Sequence, residues 1–504
     1  MMDDMLEIPI IARGRLIMPS EGDCVDYAGR GGAGFRQADP HKHVHDIVLG
    51  DTSKLRDLHD TPMAEIIDLL SALGDRLKLD DNELLQQSFE LALKAGGLEE
   101  PILRGVYDAL PHMFERAAMI AMVDKTIGIE YIDGWVASSG RFESARIRAV
   151  GTRQLHITAG NVPVVAAMTV ARAGLTKSDL LIKSPSNDPL TANAIARTLI
   201  ELSPDHPVTK HIAVAYWKGG DEFMDSQVIR TSRIDKITAW GGMSSVKHIQ
   251  KFLTPGIDLT ALNPKYSMSM IGRETFASEA AMDEAAVGLA TIVGFYNQTA
   301  CANTRIIYVE CGTDEGAIER VIELGRKMVR AFDLIPPLLS TPVTQRNREL
   351  ESEMEAVALD DDFYHVEGDT LNGGFVVSKF NDRVDFYDKL SNRVVNFVPV
   401  DSLIDVVKWC DDTTQTVGIY PEARRDELID AFALAGVQRL VPLSGGDPMT
   451  VYAGMHHMPP GSPHDGIEPM RRSVRWVIDM RPADSQAAQS IAAQTIAAQS
   501  IAAE

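Results

Sequence analysis

The sequence predicts an α/β protein in two halves, each a largely parallel sheet with crossover helices. From Arg148 short apolar runs alternate with polar or helical stretches, as in LHITAG, LLIKS, HIAVAYW and KITAWGG, which is the rhythm of strand, crossover helix, strand. A second block repeats it with MSMIG, a helix around Glu279–Val293, RIIYVE, a helix from Asp314 to Phe332, VVNFVPV and a helix into Trp409. The two blocks divide near residues 260–270, where the alternation restarts.

Taken in chain order, residues 1–50 are rich in Gly and His with short apolar runs such as Ile8-Pro9-Ile10-Ile11, which read as strands or loops and are expected to form an N-terminal appendage. At Thr61-Pro62 a Thr cap with proline in the first turn opens a helix carrying Ile66, Ile67, Leu69, Leu70 and Leu73. Asp80-Asp81 starts another that stops at Gly96-Gly97, so 61–124 reads as a helical hairpin region. Residues 446–481 read as a C-terminal return segment and 482–504 as a low-complexity tail. In that tail AAQSI recurs from Ala487. Five residues advance a helix by about 140° past a full turn, so the isoleucines share no stripe and the tail is expected to be solvated.

Composition removes several functional classes. Of 504 residues, 45% are hydrophobic and 24% charged, the balance of a folded soluble chain rather than a disordered or fibrous one. Lys plus Arg (49) against Asp plus Glu (71) leaves −22 with no basic run in the sequence, so no nucleic-acid partner is expected. The acidic start MMDDMLEIPII and the absence of an apolar run of roughly 18 residues predict no targeting and no membrane insertion. The four cysteines, Cys24, Cys301, Cys311 and Cys410, show no CxxC spacing; neither a disulfide framework nor a zinc site follows, and a cytoplasmic location fits.

Two motifs are decoys on this reading. Gly29-Arg30-Gly31-Gly32-Ala33-Gly34 satisfies GxGxxG but is followed by FRQADPHKH instead of the helix whose N-terminus must meet a pyrophosphate. His41, His43 and His45 alternate without further ligands at fixed spacing, so no metal is assigned. The segment from His156 is richer. One strand ends at Ala159-Gly160-Asn161-Val162-Pro163 and the next at Lys183-Ser184-Pro185-Ser186, placing polar residues at carboxyl ends of strands, where open α/β sheets bind ligands. Lys183 is suited to a ribose or phosphate, Asn161 to a developing oxyanion, and Gly241-Gly242 after Trp240 to close approach of a phosphate. Cys301 lies between a helix and the strand RIIYVE, where a nucleophile or a buried inert thiol fits equally.

Together, Asn161-Val162-Pro163, Lys183-Ser184-Pro185-Ser186, Gly241-Gly242, Pro264-Lys265-Tyr266-Ser267 and Gln298-Thr299-Ala300-Cys301 follow the order and approximate spacing of the aldehyde dehydrogenase superfamily. The wording ITAGNVP, KSPSNDPLTANA, AYWKGGDE, AWGG and Pro463-His464-Asp465-Gly466 resembles its acyl-CoA reductase branch, the LuxC family of bacterial bioluminescence, over residues 145–480. The resemblance implies a Rossmann-like cofactor-binding domain over 51–262, a catalytic α/β domain over 263–445 and a small strand-based oligomerisation element. It makes Cys301 the nucleophile, and Asn161 with the Cys301 backbone N–H the oxyanion hole. Thr158, Lys183, Ser184, Ser186, Gly219, Trp240, Gly241 and Gly242 become cofactor contacts, and Leu262 lies near the nicotinamide.

Departures from the family sharpen the expectation. Aldehyde-oxidising members carry a water-activating glutamate four residues before the lysine that aligns with Lys265; here that position is Ala261. A second glutamate, which holds the nicotinamide ribose, has no counterpart before Val394, where Asp388 and Lys389 stand. Deacylation by a thiol, or its reverse, needs no water-activating base. Ser186 stands where NAD-preferring members usually carry a glutamate; a neutral hydroxyl beside Lys183 favours a 2′-phosphate, although Ser186 also suits the cap of a helix entered at Pro189. The expected activity is NADPH-dependent reduction of a fatty or aryl acyl-CoA to the aldehyde through an acyl-cysteine, with release of coenzyme A. A homo-oligomer and an acyl-activating partner enzyme accompany this reading. Its rivals are a hydrolytic aldehyde dehydrogenase, opposed by Ala261, and a silent acyl-binding subunit, opposed by Cys301 with Asn161.

Overall fold

The computed structural model describes residues 5–137, 145–262 and 264–480. Asn263 and the repeat tail lie outside them. The fold is α/β, with two seven-stranded sheets and two small three-stranded ones.

The first large sheet runs in the order Asp258–Leu262, Lys236–Trp240, Arg153–Ile157, Asp179–Lys183, Ile212–Ala215, Ile10–Ala12 and Arg15–Ile17. Its first five strands are parallel. Chain order moves outward from Arg153–Ile157 in one direction and then restarts on its other side with Lys236–Trp240. That reversal creates a crevice at the carboxyl ends of these two strands, the usual ligand position of a doubly wound sheet. Arg153–Ile157 and Asp179–Lys183 are buried along their whole length, as strands covered by helices on both faces must be.

The second large sheet runs Tyr364–Asp369, Gly373–Ser378, Val394–Val400, Thr304–Glu310, Tyr266–Ile271, Thr414–Tyr420 and Arg439–Pro442. Only the pairing of the edge strand Tyr364–Asp369 is antiparallel. Helices Glu279–Gly294 and Glu315–Ala331 pack against it through a shared apolar core. Gly288 permits a close seat: a Cβ there would lie 2.2 Å from the Leu443 carbonyl oxygen.

The expectation of an N-terminal appendage is corrected. Ile10–Ala12 pairs antiparallel with Ile212–Ala215 and carries Arg15–Ile17 with it, so this segment completes the first sheet. Arg13 Nη2 donates to Asp179 Oδ2 at 3.0 Å, and Asn193 Nδ2 donates to the Pro9 carbonyl at 2.7 Å. Three-residue strands are too short to show a period, and only the partner strand reveals their role. The glycine motif turns between the antiparallel strands Val25–Tyr27 and Phe35–Gln37. His43 bonds Asp23 and Asp46, and His41 bonds Asp39; no metal-ligating cluster occurs among the described residues.

The helical region carries four main helices, Met63–Arg76, Glu83–Ala95, Glu100–Asp108 and Arg116–Thr126, packed on the first sheet. Thr61 does not cap the first of them. Its hydroxyl donates back to the Asp57 carbonyl, while Asp133 receives the Met63 N–H. The helix expected into Trp409 is a 3₁₀ helix over Leu403–Trp409. Near the C-terminal end, strand Arg475–Met480 returns across the molecule to pair with Ala145–Val150, which also pairs with Val136–Ala137.

Candidate active site

Cys301 stands just before strand Thr304–Glu310, at the amino edge of the second sheet. The loop that delivers it contains three consecutive left-handed residues, Tyr296, Asn297 and Gln298, with φ of 50°, 49° and 65°. Each costs roughly 1–2 kcal/mol in a residue with a Cβ, so the loop persists only because other contacts hold it. Gln298 Nε2 donates to the carbonyls of Thr304 (2.8 Å) and Val394 (3.0 Å), and its Oε1 accepts the Val394 N–H. Asn303 Nδ2 donates to the carbonyls of Ile292 and Phe295, both at 2.9 Å, and its Oδ1 accepts the Ala300 N–H. Asn297 Oδ1 accepts from the Ser340 hydroxyl and the Thr341 N–H.

Around the thiol, Gln415 Nε2 donates to Cys301 Sγ at 3.1 Å and to Asp465 Oδ1 at 2.6 Å. Because a carboxylate only accepts, Asp465 fixes which end of the amide faces the sulfur. The Cys301 carbonyl accepts from Ser267 Oγ at 2.7 Å, whose oxygen in turn accepts the Thr416 N–H. Cys301 is reachable at the surface yet crowded enough by protein atoms that lost hydration raises its pKa. Asp465 adds to that rise, while the Gln415 hydrogen bond and the Arg439 charge oppose it. Arg439 donates to Thr416 Oγ1 from Nε and Nη2 at 3.1 and 2.9 Å. Burial lowers the Arg172 pKa to about 10, and Asp465 works against that. Gln415, Arg439 and Asp465 also line a cavity of about 220 Å³ with His464.

His464 links this edge to the first sheet. Its ring meets Trp240 edge to face at 5.1 Å, and burial lowers its pKa. The amino edge of the second sheet therefore meets the carboxyl edge of the first through Trp240, His464 and Asp465. Further down the strand that enters this crevice, burial pushes His156 to about 3; Nε2 is bonded to Gln154 Oε1, and Nδ1 has no partner.

At the carboxyl edge, the Lys183 ammonium lies 5.2 Å from the centre of the Trp217 ring. Burial lowers its pKa, opposed by Asp225 and Asp221. Both carboxylates are already engaged, Asp225 by Trp217 Nε1 and His248 Nε2, Asp221 by His41 Nε2 and the Met224 N–H. Ser184 Oγ and Trp240 Nε1 are buried without a partner, and Cβ positions at Gly219 and Gly242 meet open space. A buried ammonium, two orphaned donors and open glycines on one sheet edge fit a dinucleotide. Thr158 is used otherwise, with its N–H and Oγ1 both donating to the Lys183 carbonyl. Gly241 adjoins Ser245, and Leu262 is buried in register with Trp240.

Asn161 is exposed, and among the described residues its side chain makes no hydrogen bond, to Cys301 or to any other group. Ser186 is also exposed and does not cap the next helix. Asp188 does, accepting the Thr191 N–H and hydroxyl. Asp388 and Lys389 are not site residues: Lys389 pairs with Glu349 and Glu353, and the Asp388 carbonyl receives Arg305. Phe295 and Met268 are core side chains. Sequence reasoning missed Gln415, Arg439, Arg172 and the role of Asp465. Arg172 did carry a signal, as the one charge in the apolar run Val164–Leu175.

Comparison with known proteins gives concordant results. A long-chain acyl-protein thioester reductase of Aliivibrio fischeri is 28% identical over 444 residues, 87% of each chain. One of Photorhabdus luminescens is 26% identical over 492 residues, 95% of this chain and 94% of that one. Among solved structures, an NAD-dependent aldehyde dehydrogenase from Sinorhizobium meliloti matches with TM-score 0.69 and 13% identity, covering 95% of this chain and 96% of that one. The NADP-dependent glyceraldehyde-3-phosphate dehydrogenase from Bacillus halodurans, complexed with NADP, matches with TM-score 0.66 and 14% identity over 94% and 100%. These likenesses establish the aldehyde dehydrogenase fold. The family profile described as acyl-CoA reductase (LuxC) matches residues 58–476, and the chain belongs to that family.

Proposed function

We propose that the chain reduces an acyl-CoA to the aldehyde with NADPH, through an acyl-cysteine on Cys301 and with release of coenzyme A. Reduction of an acyl thioester follows from the family and from relatives named for that reaction. The observation that carries the covalent route is the Gln415 amide set against Cys301 Sγ by Asp465. Its N–H stabilises a thiolate, which attacks the thioester carbon; the carbon–sulfur bond to coenzyme A then breaks and the departing thiolate takes up the proton that Cys301 gave. Cys301 N–H and the unengaged Asn161 amide supply oxyanion donors on this reading. Lys183, Ser184 and Trp240 would hold a nicotinamide cofactor, which would supply the hydride for the acyl carbon. Collapse of the resulting thiohemiacetal returns the thiolate to Gln415 and frees the aldehyde.

Ala261, in strand Asp258–Leu262, carries no base, which supports thiol rather than water as the second acyl acceptor. Ser186 presents a neutral hydroxyl where a carboxylate would repel a 2′-phosphate, which supports NADPH. The small sheet ending in Arg475–Met480, with Ile478 and Met480 61% and 71% exposed, supports a homo-oligomer.

The test combines turnover with mass spectrometry. Cys301→Ser is expected to abolish aldehyde formation while NADPH still binds, since serine lacks an activating base here. Wild-type enzyme mixed with acyl-CoA alone is expected to release free coenzyme A and carry one acyl adduct on Cys301. An adduct on Cys311 instead would overturn the assignment; burial pushes that thiol, like Cys410, up to about 12.

A further inference from the structure

A cleft of about 950 Å³ opens beside the nucleophile loop, where Asn297 and Thr299 form part of its wall. Thr299 precedes Cys301 by two residues, so their Cα atoms lie within about 7.6 Å of each other. Arg30 and Gly31, from the glycine motif that the dinucleotide reading could not use, line it as well. Gly31 (φ +57°) sits so close to the end of helix Glu83–Ala95 that a Cβ would lie 2.3 Å from the Lys94 carbonyl oxygen. This close seat brings Arg30 and Lys94 to one rim. Arg348, at the start of helix Arg348–Ala358, lines another side.

Arg30, Lys94 and Arg348 are exposed and make no ion pair among the described residues. Arg346, also in the lining, is bonded to Glu351, and the one lining carboxylate, Glu99, accepts from the Thr344 N–H and hydroxyl. In a chain of net charge −22, three unpaired cations around one concavity form a local anion site. Asn297 adds a donor: it is 4% exposed, its Oδ1 is engaged, and its Nδ2 has no partner. Lys183, Ser184, Trp240 and Gly242 do not line this cleft, so it is separate from the cofactor edge.

We infer that this cleft holds the phosphorylated nucleotide end of coenzyme A, with Arg30, Lys94 and Arg348 on its phosphates and the pantetheine arm running past Asn297 and Thr299 to Cys301. The inference rests on the acyl-CoA reading above and adds where that carrier binds. A concavity of this size suits a cofactor-sized polyanion and is too small to enclose a folded carrier protein. The thioester then approaches Cys301 from a side that the nicotinamide cofactor does not occupy.

The experiment compares one acyl group on coenzyme A and on pantetheine, which lacks the nucleotide. Wild-type enzyme is expected to show a lower KM for the coenzyme A thioester. Arg30→Glu and Arg348→Glu are each expected to raise that KM at least about tenfold while leaving the pantetheine thioester and NADPH unchanged. Variants that keep the wild-type preference, or that lose both thioesters equally, would overturn the inference and leave the acyl-CoA reduction standing. If the variants impair an acyl-protein substrate and spare acyl-CoA, the cleft docks an acidic protein and the inference also fails. A wild-type enzyme that reduces neither thioester defeats the functional reading instead. In that case calorimetry with adenosine 3′,5′-bisphosphate on NADP-saturated enzyme still decides the site: salt-sensitive binding lost in Arg30→Glu supports it, and no binding overturns it.

Discussion

At the scale of single residues, the reactivity of Cys301 is a contest between burial and two partners. Burial and the Asp465 charge hold its proton on, while the Gln415 amide and the Arg439 guanidinium favour the thiolate; Arg305 adds a further nearby cation. Gln415→Leu removes a donor to sulfur, so the pH profile of Cys301 alkylation should move to higher pH and the neutral-pH rate should fall. Asp465→Asn removes a negative charge, so its profile should move to lower pH. Iodoacetamide kinetics in a background lacking Cys24, Cys311 and Cys410 would measure both. Equal shifts of the same sign would show that Gln415 and Asp465 only support the fold. Cys301 became a candidate through the resemblance that Gln298-Thr299-Ala300-Cys301 helps to carry, since by position alone an inert buried thiol fits equally. Gln415 did not, because a glutamine at a strand start carries no local signal until the fold sets it opposite a thiol.

At the scale of elements, the loop that carries Cys301 shows side chains holding backbone that local preference disfavours. Asn303 is fully buried and satisfies the Ala300 N–H together with carbonyls at the end of helix Glu279–Gly294. Asn303→Ala strands those groups away from water and is expected to destabilise the protein by roughly 2–4 kcal/mol, read from the urea midpoint. Acylation of Cys301 should weaken with it, since the thiol loses its anchor. Capping shows the limit of local reading in the same way. Thr61 and Ser186 both have cap chemistry, yet Asp133 and Asp188 receive the helical N–H groups. A cap depends on which oxygen reaches the helix end, and several nearby residues offer one.

At the scale of the whole molecule, one carboxylate joins three central strands of the second sheet. Glu310 ends strand Thr304–Glu310 and receives Arg273 at 2.9 Å, from just after the adjacent strand Tyr266–Ile271, and Arg424 at 2.6 and 3.1 Å, from just after Thr414–Tyr420, the next strand beyond. Burial alone would raise its pKa, but these guanidinium hydrogen bonds and charges overcome it and hold Glu310 at about 2. A folded pKa below the unfolded one adds stability that is complete above the unfolded value and is lost as pH falls through the folded one. Between about pH 5 and pH 2, wild-type stability should therefore decline more steeply than that of Glu310→Gln. Denaturant titrations across that window would show it, and parallel curves would mean that the cluster contributes nothing.

What the sequence determined by itself was the order of elements along the chain: the two α/β blocks, the thiol before RIIYVE, and the polar ends of LHITAG and LLIKS. These are local features, written in period and spacing. Tertiary structure alone decided that Ile10–Ala12 completes the first sheet, that Arg30 and Gly31 line a basic cleft, and that Gln415 and Asp465 meet Cys301 across 114 and 164 positions of sequence. Pairing of short strands and meeting of distant polar groups are set by the packed sheets, because no local pattern distinguishes the residues involved.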